Sequence, residues 1–205
     1  MAPDGPTFRL LVGLGNPGRS YAGTRHNVGF MVLDRLAAAS GTSATFRADK
    51  KWQADVCNTD GVWLLKPQTY MNLSGESVSA LVRFYQIEPA RVLVVLDDMA
   101  LPLGRLRIRE RGSHGGHNGL RSILEHLGTQ AVPRLRVGIG PASARADDGS
   151  PGEATGHVLG RFAVDERPLV EQSLDRAVEA VRFAQENDLP SAMNKFNTNI
   201  PTSPL

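Results

Sequence analysis

A three-layer α/β/α sandwich with a mixed, mostly parallel central sheet is the fold class this 205-residue chain predicts, and three observations lead to it. Apolar runs at 8–14 and 91–96 are nearly unbroken, the mark of strands covered on both faces. Segments with an apolar period near 3.6 separate such runs, which is the order of a parallel sheet crossed by helices. Two further runs, 52–57 and 62–66, are joined by Asn58-Thr59-Asp60-Gly61, and the Asp-Gly pair predicts an antiparallel hairpin.

Each element follows from local chemistry. The first strand ends in glycine and a loop, 15–25, rich in Gly, Pro and polar residues. Val28, Phe30, Met31, Leu33, Leu36 and Ala37 then mark one face of a helix that stops near Gly41. After the hairpin, Ser74 starts a second helix through residue 86, with Val78, Leu81, Val82 and Tyr85 inward. The run 91–96 ends at Asp97-Asp98. Residues 103–109 alternate, with Leu106 and Ile108 on one side and Arg105, Arg107 and Arg109 on the other. Asn118 stands where an N-cap belongs, before Leu120, Ile123, Leu124 and Leu127, and Gly128 closes that helix. A strand at 135–139 follows, then an irregular stretch at 141–156. A long helix fits 165–186 and a short one 190–196. The whole is expected to be one domain, 1–205, with loose ends at 1–6 and 197–205.

Composition narrows the function classes. Cys57 is the sole cysteine, so no intrachain disulfide forms, and its place in a strand pattern predicts a buried, inert thiol. No apolar run approaches the roughly 20 residues of a membrane span, and the N-terminus lacks a signal peptide, which predicts a cytoplasmic protein without membrane attachment. The formal charge of +2 is unevenly spread: residues 105–136 hold seven arginines against Glu110 and Glu125. That concentration predicts a polyanionic partner met through one face. Arginines at period two stand roughly 7 Å apart, close to the spacing of successive phosphates in a nucleic-acid strand. Arg136 extends the set, and the N-terminus of the 118–127 helix offers a further phosphate seat. Aromatics are sparse there, so backbone and shape recognition is expected rather than base stacking.

Four patches carry the candidate chemistry: Gly15-Asn16-Pro17-Gly18, Thr24-Arg25-His26-Asn27, Tyr70-Met71-Asn72-Leu73-Ser74-Gly75 and Gly115-Gly116-His117-Asn118-Gly119. Neutral amides and imidazoles beside glycine suit hydrogen bonding to a ligand with acid–base chemistry close by. Gly13-Leu14-Gly15-Asn16-Pro17-Gly18 also matches a dinucleotide fingerprint. That mechanism needs a helix to begin at once, whereas residues 19–24 intervene, and Asp34 falls within a helix. In open α/β sheets, sites lie beyond the carboxyl ends of strands, where both the Asn16 loop and Asp97 stand. If those two strands are neighbours, Asp97 can accept from one nitrogen of His26 and leave the other as a base. Asp97 and Asp98 are equal candidates for capping the turn that follows. There is no serine elbow, and His114, His117, Asp97 and His26 as metal ligands lack the helical register that holds zinc. Water activated directly by a histidine–aspartate dyad remains, with Asn72 the best amide for the oxyanion, a donor of roughly 3–4 kcal/mol; an N-cap or Asx-turn is its structural alternative.

Taken in order, Leu14-Gly15-Asn16-Pro17-Gly18 with Tyr21, Thr24-Arg25-His26-Asn27-Val28-Gly29, Lys66-Pro67-Gln68-Thr69-Tyr70-Met71-Asn72-Leu73-Ser74-Gly75, Asp97-Asp98 with Pro102 and Gly104, and Gly115-Gly116-His117-Asn118-Gly119-Leu120 resemble bacterial peptidyl-tRNA hydrolases. The resemblance implies a monomeric α/β enzyme without metal or other cofactor that cleaves the ester between a peptide and tRNA. It implies His26 as general base, Asp97 as its orienting acid, and Asn16 as the residue that distinguishes blocked from free aminoacyl-tRNA. Tyr21, Tyr70, Asn72 and Asn118 match positions contacting tRNA or peptide, and Met71 and His117 resemble crevice-lining residues. Arg107, Arg109 and Arg136 match acceptor-stem contacts, to which the alternation adds Arg105. The chain departs from the family pattern at Ala100, at Gly112-Ser113-His114 and in the length and composition of 141–156. A non-catalytic RNA-binding scaffold of the same fold is the alternative.

Overall fold

The computed structural model describes residues 7–41, 44–142 and 154–198. Its strands are β1 (Leu10–Gly13), β2 (Arg47–Asp49), β3 (Ala54–Thr59), β4 (Val62–Pro67), β5 (Val92–Asp98), β6 (Leu106–Arg109) and β7 (Arg134–Gly138). They form one seven-stranded sheet in the order β2-β3-β4-β1-β5-β7-β6. The pairs β4–β1, β1–β5 and β5–β7 are parallel, and β2–β3, β3–β4 and β6–β7 antiparallel. Only β3 and β6 therefore run against the rest, so the sheet is mixed and mostly parallel as expected. Its helices are α1 (Val28–Ala39), α2 (Ser74–Phe84), α3 (Asn118–Leu127), α4 (Ala154–Leu159), α5 (Arg167–Glu186) and α6 (Leu189–Phe196).

Alternate side chains of the central strands divide between two apolar layers. Leu11, Leu93 and Val95 pack with Val32 and Leu33 of α1, Leu174 and Val181 of α5, and Phe196 of α6. Leu10, Val12, Val94 and Leu96 pack with Val78 and Leu81 of α2 and with Leu120 and Ile123 of α3. Each such side chain contributes about 1.5–3 kcal/mol on burial, and a strand feeding both layers must be apolar at every position. That is why 91–96 reads as an unbroken run. The predicted hairpin is present, with both turn residues left-handed, Asp60 at φ 51° and Gly61 at φ 79°.

Two glycines set how closely α1 approaches the sheet. A Cβ on Gly29 would lie 2.5 Å from the Val95 carbonyl oxygen and 2.4 Å from the Leu14 amide nitrogen, and one on Gly13 would lie 2.4 Å from the Gly29 carbonyl oxygen. The first turn of α1 thus rests on the bare backbone of β1 and β5. The 3-10 turn Arg25–Asn27, which precedes it, is thereby carried to the end of β5. Parallel pairing of Gly13 with Val95, continued by Leu14 N–H to Val95 O at 2.9 Å, brings the loops after both strands side by side.

Several expectations require correction. The alternating strand is confined to Leu106–Arg109, because Gly104 turns at φ 83° and Arg105 precedes the first ladder residue. The α3 N-cap is His117 and not Asn118: the His117 ring accepts from Leu120 N–H at 3.3 Å while Asn118 is already helical. β2 was not anticipated, being three residues with two exposed side chains. α4 occupies the end of the stretch expected to be irregular, and 143–153 lie outside the described residues. Asn197, expected to begin a loose tail, donates to Ile108 O at 3.1 Å and accepts from Ile108 N–H at 2.6 Å. Its amide stands in for a neighbouring strand on the open edge of β6. Residues 1–6 and 199–205, the remaining expected loose ends, are outside the described residues. No helix among those described is long and apolar enough to cross a membrane.

Candidate active site

The carboxyl ends of β1 and β5 open into a cleft of about 1140 Å³ whose lining includes Asn16, Tyr21, His26, Asn72, Asp97, His117 and Asn118. Its floor is a hydrogen-bonded array centred on Asp97. The His26 Nδ1 lies 2.7 Å from Asp97 Oδ1, and the His117 Nε2 lies 2.9 Å from the same oxygen. A carboxylate only accepts, so both ring nitrogens carry the shared-side protons. The His117 tautomer is independently fixed, because its Nδ1 accepts from Leu120 N–H. For His26, the remaining nitrogen, Nε2, has no partner among the described residues.

Asp97 is 3% exposed, which makes its charge state decisive. Burial alone would raise its carboxyl, but the charge and hydrogen bond of His117, followed by the hydrogen bond and charge of His26, outweigh it and hold the group well below the usual carboxylate range. Asp97 is therefore an anion throughout the physiological range. Asp98 takes the capping role: its Oδ1 accepts from Ala100 N–H at 2.9 Å and shapes the turn after β5. The two acids that were equivalent by sequence thus divide the work. His26, Asp97 and His117 are also the one trio of potential metal ligands among the described residues, with ligand atoms within 4.8 Å of one another. Their mutual contacts have hydrogen-bond lengths.

Asn16 is held by three bonds. Its backbone N–H donates to Asn27 Oδ1 and its carbonyl accepts from Asn27 Nδ2, both at 2.9 Å. Its side-chain oxygen accepts from Met71 N–H, also at 2.9 Å. Because a backbone N–H can only meet the oxygen, the amide is oriented without ambiguity, and Asn16 belongs to the cleft lining. Asn72, in the 3-10 turn Met71–Leu73, is exposed and makes no side-chain bond among the described residues; no side chain caps α2, whose N-cap residue is Leu73. The capping alternative for Asn72 therefore falls away. Tyr70 is 62% exposed at the rim, Met71 is buried beneath it, and Tyr21 is half-buried opposite. The first loop agrees with setting the dinucleotide pattern aside: turns fill 19–23, no helix begins at Gly18, and Asp34 pairs with Lys66 at 2.6 Å on the outer surface of α1. Cys57 is buried in β3, and burial pushes its thiol up, as an inert cysteine requires.

The arginines form a patch on one face of β6 and β7. Cross-strand register sets Arg107 opposite Arg136 and Arg109 opposite Arg134, while Leu106, Ile108, Leu135 and Val137 fill the core behind. Arg109, Arg134 and Arg136 line the cleft, whereas Arg107 is exposed on the edge strand beside it. Arg105 does not join them, since it lies outside the strand and near Arg176 of α5, whose guanidinium it depresses after burial does. Arg136 makes an ion pair with Asp98, Nη2 to Oδ2 at 2.8 Å. Arg134 escaped the sequence reading as a site residue. It is 2% exposed and donates from Nη1 to Gly112 O at 2.9 Å, but Nε and Nη2 have no partner among the described residues. Burial and then the Arg136 charge depress its pKa. Like charges directly opposed across strands are unfavourable, and an anion in the cleft relieves them. The phosphate seat expected at α3 is partly taken, because His117 occupies Leu120 N–H with its ring and Arg121 N–H with its carbonyl.

The shared role of His117 was also missed. Its spacing from Asp97 in sequence carries no signal of contact, and only the strand-to-helix crossing from β5 to α3 brings them together.

Comparison with known proteins agrees with this geometry. The peptidyl-tRNA hydrolase family profile matches residues 10–203. A peptidyl-tRNA hydrolase of Akkermansia muciniphila is 48% identical over 189 residues, covering 92% of this chain and 95% of its own. Another from Synechococcus elongatus is 46% identical, covering 100% of this chain and 98% of its own. The crystal structure of peptidyl-tRNA hydrolase from Acinetobacter baumannii superposes with a TM-score of 0.84 at 38% identity, covering 98% of this chain and 100% of that one. On sequence, fold and the cleft at the ends of β1 and β5, this chain belongs to the peptidyl-tRNA hydrolase family.

Proposed function

We propose that this protein hydrolyses the ester bond of peptidyl-tRNA, releasing peptide and free tRNA, by water activated on His26. The observation that carries the proposal is the buried Asp97 carboxylate accepting from His26 Nδ1 at 2.7 Å, beneath a cleft walled by arginines. His26 Nε2 takes a proton from water and the resulting hydroxide attacks the acyl carbon. Negative charge gathers on the carbonyl oxygen, within the cleft that Asn72 and the NH₂ of Asn16 line as amide donors. As the carbon–oxygen ester bond breaks, the His26 imidazolium returns its proton to the departing ribose oxygen. Asp97 supports the transient charge on the ring. No step needs a metal or cofactor. Tyr21, Tyr70, Met71, His117 and Asn118 border the acyl and 3′-terminal part of the substrate, and the protein acts as a cytoplasmic monomer.

Incubation with an N-acetylated aminoacyl-tRNA in excess chelator tests this reading. Release of free tRNA at an undiminished rate is expected. Retention of intact substrate with tight binding would instead favour the RNA-binding scaffold, and chelator sensitivity would point to a metal.

Arg107, Arg109 and Arg136 contact acceptor-stem phosphates in this scheme; Arg105 lies away from the patch. Replacing Arg107 and Arg109 together by alanine should raise KM with little change in kcat. It should also reduce the slope of log affinity against log salt by roughly 1–2, about 0.7–0.9 per lost phosphate contact. An unaltered salt slope would remove this face from RNA binding.

A further inference from the structure

Arg25 precedes the proposed base in sequence, yet its side chain turns away from the cleft and is 8% exposed. Its guanidinium ties three separate pieces of chain together. Nη1 donates to Ile139 O at 3.1 Å, Nη2 to Glu166 Oε2 at 2.6 Å, and Cζ lies 4.7 Å from the centre of the Phe162 ring. Each contact leads back to the dyad. Ile139 follows β7, and its N–H donates to Asp98 O at 3.2 Å, one residue from Asp97. Glu166 closes the segment that begins with α4, and its Oε2 also accepts from Ala163 N–H at 2.7 Å. The same segment meets the His26 turn through its backbone: Arg25 N–H donates to Gly160 O at 2.9 Å, and Thr24 forms a β-bridge with Arg161. α4 contributes Val158 and Leu159 to the cleft wall, so one strap spans the wall and the back of the base.

We infer that Arg25 is a positioning residue that sets the separation of His26 from Asp97 by clamping the Arg25–Asn27 turn to the end of β7 and to the 154–166 strap. The two members of the dyad belong to different elements, one on a short turn and one on a strand end. Backbone pairing fixes the strand end through β5 and β7. The turn lies outside the named strands and its side-chain cap is absent at Thr24, so its depth rests on Gly29 packing and the Asn27–Asn16 pair on one side and on the strap's backbone contacts and this guanidinium on the other. Two donors in a planar fork, aimed at a carbonyl and a carboxylate, specify a position that a single ammonium cannot reproduce. The inference rests on the His26–Asp97 reading of the site.

The test uses Arg25→Lys, Glu166→Ala and Glu166→Gln in the full chain, with His26→Ala as reference, all assayed on N-acetylated aminoacyl-tRNA. Arg25→Lys should lower kcat about 10- to 100-fold, the scale of a misplacement near 1 Å, with KM altered less than about twofold. In ¹⁵N-histidine NMR of the free protein, the downfield His26 Nδ1–H resonance should shift or exchange-broaden. Glu166→Ala should show the same pattern more weakly, and Glu166→Gln, which keeps an acceptor oxygen for both donors, should restore most of it. Should Arg25→Lys fail to fold, the two Glu166 variants decide. An unchanged kcat with an unshifted resonance overturns the inference, as does a rise in KM alone, which would make the strap a substrate contact. Wild-type activity in His26→Ala would instead topple the dyad itself, whatever the Arg25 result.

Discussion

Replacing His26 with alanine is expected to reduce kcat by about 10²–10⁴-fold, the usual worth of a positioned general base, while tRNA affinity stays within a factor of two or so. The separation follows from the geometry. His26 brings to the cleft floor one nitrogen with no partner among the described residues, and it makes no hydrogen bond to the arginines described along the basic wall. Removing the ring leaves Asp97 with His117 as its remaining donor, so the buried carboxylate keeps a partner and the fold is spared an orphaned charge. Single-turnover rates on a labelled N-blocked aminoacyl-tRNA, beside filter binding of uncharged tRNA, read the two quantities apart. Residual turnover near the parent rate would mean that some other group accepts the proton from water.

Asp97→Asn is expected to cost about 10²–10⁴-fold in kcat for a different reason, although the side-chain shape is retained. In the parent, one carboxylate oxygen receives N–H groups from both histidines. An asparagine offers one acceptor and one NH₂. If the NH₂ takes the place of that oxygen, the His26 ring must present Nδ1 as acceptor and carry its proton on Nε2, where a base needs a lone pair, and the same NH₂ meets His117, whose tautomer Leu120 N–H already pins. If instead the amide oxygen stays there, it still accepts from both rings but carries no charge. Either way the negative charge that stabilises the imidazolium is gone. Stability should respond with a definite sign. The folded carboxyl is held below its ordinary value, so the ionised form stabilises the fold fully above about pH 4 and that contribution disappears as acid titrates the folded group. The difference in unfolding free energy between parent and Asp97→Asn should therefore be largest near neutrality and shrink on acidification. A constant difference across that range, measured by denaturant titration, would show that Asp97 is not the anion described here.

His26, Asp97, Asn16 and Asn72, which line one cleft, could be picked out from the primary structure because their setting is local: each stands beside a glycine or turn at the edge of an apolar run, and apolar runs mark strand ends. The strands of both central layers were equally legible, since a strand buried on two faces cannot hide its composition. Legibility failed where burial was slight or where chemistry depended on distant partners. β2 and α4 bury almost nothing and so leave no periodic imprint. Asn118 looked like a cap because asparagine commonly is one, yet the ring of His117 reached Leu120 N–H first.

What this sequence determined alone is most of the elements and the polar groups that stand at their ends, because helix and strand periods and turn chemistry act within a few residues. Tertiary structure decided which groups meet. Pairing of β1 with β5 placed His26 by Asp97, packing of α3 delivered His117 to the same oxygen, and the β6–β7 register stacked Arg107 and Arg109 against Arg136 and Arg134 while leaving Arg105 outside. The physical reason is that a hydrogen bond of 2.7 Å is set by the packing of whole elements on a shared core, and those contacts join residues far apart in the chain.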